Sequence, residues 1–174
     1  GQDAKKTLQQ PTLAEAPKGQ ATTLFKNVSE KLEHIHEEAP QDPSMAQPLL
    51  PRQLDGMGPG VAVFDFNQDG WEDLFIGGGR GGKMGVYRNQ QGQAFVRQRA
   101  KAFERPLAQD QTALLAWRPY NQDMQLLMGQ SSIETPAPQA SAFTSFSMVN
   151  GQGLSFPSPA GTSSGPMAMA DWDG

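Results

Sequence analysis

Apolar residues along this chain come in short runs bounded by glycine, with no long helical periodicity. Val61-Ala62-Val63-Phe64 and Leu74-Phe75-Ile76 are brief, β-branched or aromatic, and read as strands. Val86-Tyr87-Arg88-Asn89 reads as a strand running into a turn, with Gly92-Gln93-Ala94-Phe95 returning from it. Residues 1–20 are polar, rich in Lys, Gln and Pro, and aperiodic, which predicts a disordered leader over 1–22. Residues 24–38 fit a short helix with Asn27 and Glu30 placed like a capping box, or alternatively a strand. Five prolines between 39 and 59 predict a connecting loop.

The pattern repeats. Asp73-Leu74-Phe75-Ile76-Gly77 returns 52 positions later as Gln125-Leu126-Leu127-Met128-Gly129. Tyr87-Arg88-Asn89 with Gly92 and Phe95 returns 61 positions later as Met148-Val149-Asn150 with Gly153 and Phe156. Ala62-Val63-Phe64-Asp65 returns 106 positions later as Ala168-Met169-Ala170-Asp171. A period of about 50 residues is that of a four-stranded unit in a repeat protein. The expected architecture is all-β, with a lead-in segment over 23–57, one unit over 58–110, a second over 111–164, and the start of a third over 165–174. Trp71, Phe75, Tyr87, Phe95, Phe146 and Phe156 are spaced as packing residues of such units.

Between the first two strands lies Asp65-Phe66-Asn67-Gln68-Asp69-Gly70-Trp71-Glu72-Asp73. Oxygen-bearing side chains at loop positions 1, 3, 5 and 9 can turn inward together around a hard cation such as Ca²⁺, which takes six to eight oxygens. Trp71, at position 7, would contribute its backbone carbonyl, and Gly70 would take the sharp turn. The predicted calcium ligands are therefore Asp65, Asn67, Asp69, Trp71 and Asp73, with Glu72 facing solvent. An EF-hand is excluded, because position 12 is Ile76 instead of a bidentate Glu and the flanks are strands. The corresponding second segment, Trp117 to Gln125, lacks oxygens or charge at positions 1, 3 and 9 and is expected to bind calcium poorly. Asp171 and Asp173 stand at positions 1 and 3 of a third loop, a truncated second site.

The stretch from Gly58 to Gly78, with the hairpin that follows it, resembles an FG-GAP/VCBS repeat. Such repeats form blades of β-propellers like the integrin α-subunit head, and occur in bacterial secreted proteins that carry an ASPIC/UnbV module. The resemblance is strong over about 50–97 and weaker, but traceable, to 174, and His36-Glu37 and Leu49-Leu50-Pro51 resemble the segment before the first repeat in the bacterial members. It implies a partial β-propeller of about two four-stranded blades plus the start of a third, in a fragment of a longer protein. It also implies an extracellular, cell-surface or periplasmic setting and a role in calcium-dependent binding of a protein or glycan, without catalysis in this segment. A scaffold within a larger secreted enzyme, such as a polysaccharide-degrading one, and a periplasmic or outer-membrane assembly factor are the rival expectations.

Composition narrows the remaining chemistry. The chain has 174 residues, a net charge of −4 and no cysteine. Disulfides, thiolate catalysis and zinc–thiolate sites are thus excluded within it. No basic stripe points to nucleic acid, and no apolar run has the ~18 residues of a membrane helix. Gly77-Gly78-Gly79-Arg80-Gly81-Gly82-Lys83-Met84 nearly matches a phosphate loop. Met84 stands where the Mg²⁺-binding hydroxyl belongs, and a strand follows where the helix should, so it reads as a flexible glycine loop between strands. His34 and His36, on alternate positions beside Glu37 and Glu38, could share a face and hold zinc, but no third ligand is evident and a surface pair is the simpler reading. Asn27-Val28-Ser29 is a glycosylation sequon, meaningful only in a eukaryotic secretory setting. The acids are assigned to calcium, which leaves no Ser/His/Asp triad or carboxylate pair to argue.

Overall fold

The computed structural model describes residues 27, 29–40, 58–119, 122–131, 141–149, 151–157 and 164–170. The leader, residues 41–57, Asp171 and Asp173 lie outside the described residues. Among the described residues eight strands form two sheets: β1 (Val61–Phe64), β2 (Asp73–Ile76), β3 (Gly85–Asn89) and β4 (Phe95–Arg97), then β5 (Gln111–Trp117), β6 (Gln125–Gln130), β7 (Ser141–Ser147) and β8 (Gly153–Pro157). Each sheet is a four-stranded antiparallel meander in chain order. The all-β expectation holds. Over the described part of 24–38 neither helix nor strand forms: Ser29–Lys31 makes a single 3-10 turn, and the segment that follows takes its shape from packing on the first sheet.

The sheets pack face to face. Phe75, Met84 and Val86 from the first meet Leu114, Met124, Leu126 and Met128 from the second, with Phe103 of the β4–β5 connector completing the buried cluster. The period-2 alternation of strands decides which residues take part. On β1, Ala62 and Phe64 lean on the core, while Val61 and Val63 point away and are 56% and 54% exposed. Of the six aromatics expected in the core, Phe75 and Tyr87 are fully enclosed and Phe146 packs against the cluster. Phe95 is half-buried, whereas Trp71 and Phe156 remain 43% and 41% exposed. The Trp71 ring lies over Gly92 of the β3–β4 turn, and Phe156 lies against Phe143 with ring centres 5.2 Å apart on the far face of the second sheet.

Strand register refines the internal repeat. Phe64 pairs with Asp73, and Trp117 pairs with Gln125. Trp117 therefore ends a strand as Phe64 does, and the first position of the second loop is Arg118 rather than Trp117. Tyr87 sits opposite Leu74, and Phe146 sits opposite Leu126. The ladder thus equates Tyr87 with Phe146, two residues short of the Met148 suggested by the sequence. The hairpin between β7 and β8 is tighter, with Phe146 pairing with Gly153 where Tyr87 pairs with Arg97, so matching the two turn sequences misplaces the rung.

The junction between units also repeats. The Gln111 N–H donates to the Gly78 carbonyl at 3.0 Å, and the Ser164 N–H donates to the Gln130 carbonyl at 3.0 Å. A Cβ on Gly77 would lie 2.8 Å from the Gln111 carbonyl oxygen, and a Cβ on Gly129 would lie 2.5 Å from Ser164 Oγ. β5 crosses at Gly77 and the segment at Ser164 crosses at Gly129, and any side chain on either glycine would hold its neighbour off. Ser164 thus meets the second sheet by the contact through which Gln111 meets the first.

Candidate calcium loop and its surroundings

Loop 65–72 connects β1 to β2 and is shaped by its own acids. Asp65 accepts from the Gly70 N–H at 2.8 Å and from the Asp69 N–H at 3.2 Å. Asn67 Oδ1 accepts from the Asp69 N–H at 3.0 Å, and its Nδ2 donates to Asp69 Oδ2 at 2.9 Å. Asp69 Oδ1 accepts from the Trp71 N–H at 3.0 Å. Gly70 has φ of +86°, the left-handed turn expected of it. Gln68, at +61°, shares that region without being glycine. Glu72 is exposed, as expected, and its carbonyl accepts from Asn89 Nδ2 at 2.9 Å.

Asp73 sits at the loop's floor, fully buried at the start of β2. It accepts from the Asn89 N–H at 2.7 Å and from the Phe66 N–H at 3.2 Å. Burial pushes its carboxyl above the ordinary value. The two N–H bonds oppose that rise, and the charges of Asp69 and Asp65 add to it. Asp69 behaves in the opposite way. Desolvation pushes it upward, but bonds from Arg88, the Trp71 N–H and Asn67 outweigh that and leave it below the usual carboxylate value. The Arg88 contact is an ion pair, Nη2 to Asp69 Oδ2 at 3.1 Å. A second guanidinium arrives from the neighbouring unit: Arg118 Nη2 donates to the Phe66 carbonyl at 3.0 Å. The β3 residues Arg88 and Asn89, and Arg118 across the junction, are parts of this site that ligand spacing alone does not reveal. The sequence placed the first two only at the end of a strand running into a turn, with nothing to mark their reach to this loop.

The donor set suits calcium chemically: three carboxylates, an amide oxygen and a backbone carbonyl, all hard oxygens on one short loop. Among the described residues no three carboxylate or imidazole groups converge on a single point. The loop's oxygens are turned instead toward its own N–H groups and toward Arg88. Binding an ion would exchange some of those bonds for coordination. Asp73 gives that exchange a driving force, since a divalent cation would offset both its burial and the repulsion of Asp65 and Asp69.

The other motifs resolve differently. The glycine loop 77–82 is packed rather than flexible. Gly77, Gly78, Gly79 and Gly82 are buried, and a Cβ on Gly82 would lie 2.0 Å from the Glu37 carbonyl oxygen. The lead-in segment crosses it, with the Ala39 N–H donating to the Arg80 carbonyl at 2.7 Å. Lys83 pairs with Glu104 at 3.1 Å and Met84 is in the core. The chain itself fills the space that a phosphate would need. His34 and His36 part company. His34 Nδ1 bonds the Tyr87 hydroxyl at 2.7 Å, and His36 Nε2 lies 3.4 Å from Glu38. A separate open cleft of about 570 Å³ runs between the β4–β5 connector and the β7–β8 hairpin, with Lys101, Arg105, Phe146 and Met148 among its walls. Among the described residues no helix is long and apolar enough to cross a membrane. Comparison of the chain with protein-family models, with curated proteins and with solved structures finds no match in any of the three.

Proposed function

We propose that this chain is a calcium-binding module of β-propeller repeats from a secreted or cell-surface protein, which serves protein or glycan binding and carries no catalytic centre in this segment. The observation that carries the reading is the repeated junction. The first sheet meets the second, and the second meets the segment at Ser164, through a glycine at the end of the second strand and one backbone bond, Gln111 to Gly78 and then Ser164 to Gln130. Units that dock by the same contact, each turned relative to the last in the same way, build a ring or a solenoid. Face usage agrees. Val61 and Val63 are exposed on β1, whereas the residues at the same register on β5, Leu114 and Ala116, are packed into the core between the sheets. A unit preceding the first would cover those valines as the first sheet covers Leu114.

Calcium fits this architecture as a stiffener of the β1–β2 loop, at the rim where such units present binding surfaces. In the second unit Arg118 stands where Asp65 stands in the first, so one cation per pair of units is the expected stoichiometry for this segment. Calorimetric titration with Ca²⁺, with Mg²⁺ and EDTA controls, tests the reading. One site in the micromolar-to-millimolar range of extracellular modules and a raised melting temperature are expected. Asp65→Ala and Asp69→Ala should each abolish both effects. Calcium-dependent melting unchanged in both variants would reject the loop as the site.

A further inference from the structure

Arg88 occupies an unusual place for a cation: its guanidinium is bonded to Asp69 Oδ2 at 3.1 Å, on the central acid of a loop whose oxygens suit a metal. The residue is about half exposed and projects from β3, so the pair forms across the sheet and not within the loop. Its partner oxygen also accepts from Asn67 Nδ2, and the other Asp69 oxygen is taken by the Trp71 N–H. Asp69 therefore has to release at least one donor before it can turn both oxygens to an ion. The N–H bonds belong to the loop's own turn and can persist with a cation present. The guanidinium is the one donor that brings a competing positive charge. The second unit makes the same point by omission. There the ladder places Ser147 opposite Gln125, the rung that follows Tyr87 and Leu74 in the first unit and belongs to Arg88. Where the loop lacks the acid, the sheet lacks the arginine.

We propose that Arg88 is a built-in counter-ion of the loop, which neutralises Asp69 while no metal is bound and must swing away for a divalent cation to enter, so that it weakens the loop's affinity and links it to ionic strength. This rests on the calcium reading of the loop. An exposed side chain on a flexible stem can make that movement without disturbing the sheet, and the ion pair it leaves is of the weak, salt-screened kind.

The test compares wild type, Arg88→Gln and Arg88→Lys by Ca²⁺ calorimetry at low and high salt, with Tb³⁺ emission excited through Trp71 as an independent readout of loop occupancy. Arg88→Gln should bind Ca²⁺ roughly two- to fivefold more tightly at low salt, the range of an exposed ion pair. That advantage should shrink at high salt. Arg88→Lys, which keeps the charge, should stay near wild type. Equal or weaker binding by Arg88→Gln would overturn the proposal and leave the calcium reading standing, since Arg88 would then be a support for Asp69 and not its competitor. Folded wild type and Arg88→Gln that bind neither Ca²⁺ nor Tb³⁺ would end the calcium reading and this proposal with it.

Discussion

Gly77→Ala is the substitution that tests the repeated junction most directly. A Cβ at position 77 would stand 2.8 Å from the Gln111 carbonyl oxygen and 3.0 Å from Gln111 Cβ. The carbonyl is backbone, and it is fixed from the other side because it accepts the Gly60 N–H at 2.9 Å. The junction cannot yield at one atom, so the two sheets must separate by several tenths of an ångström. Overpacking of this kind costs about 1–3 kcal/mol. Replacing glycine lowers the entropy of the unfolded chain and returns about 0.4–1 kcal/mol. Taking the middle of each range, a net loss of about 1.3 kcal/mol remains, which for a chain of this size lowers the melting temperature by roughly 3–5 °C. Urea denaturation is the assay: the midpoint should fall at an unchanged slope, because the folded state stays compact. Gly165→Ala is the internal control. A Cβ there meets nothing within 4 Å, and the variant should match or slightly exceed wild type. A Gly77→Ala protein as stable as Gly165→Ala would refute the claim that close approach at this glycine sets the packing of one unit on the next.

Two further outcomes follow from the core and the lead-in. Phe75→Ala removes a fully buried ring that meets Phe66 edge-on with centres 5.9 Å apart, and should cost about 3–5 kcal/mol, measurable by the same denaturation. His34 is held below its ordinary value of 6.5, first by burial and then by the positive charges of Arg97 and His36. The unfolded chain thus takes up the His34 proton more readily than the folded one. Stability from the neutral imidazole is full above the unfolded value and declines as pH falls below it. Melting temperatures followed from pH 7.5 to about pH 5.5, above the carboxylate range, should fall, and His34→Gln should flatten that slope. A rising melting temperature over that interval would contradict the sign.

Much of the fold was legible because strands advertise themselves at short range. Val61-Ala62-Val63-Phe64 and Leu74-Phe75-Ile76 are short apolar runs with β-branched and aromatic residues and a glycine boundary, and both form strands where expected. Register was not, because a hairpin signature such as Asn-Gly marks a turn, while the rung is set by which side chains reach the core. That is why Tyr87 aligns with Phe146 in space and not with Met148.

What the sequence alone determined is local: the strands of the first sheet, the order of oxygen donors in loop 65–73 and the turn at Gly70. These depend on residues within a few positions of one another. Only the tertiary structure decided the rest. It gave the glycine loop 77–82 to the lead-in chain, split His34 from His36, and exposed Trp71. It also brought Arg88 from a neighbouring strand and Arg118 from the next unit to the loop. Arg88 is 19 residues from Asp69, and Arg118 is 52 residues from Phe66. Contacts of that kind depend on how sheets stack, and no pattern within either segment encodes the distance between them.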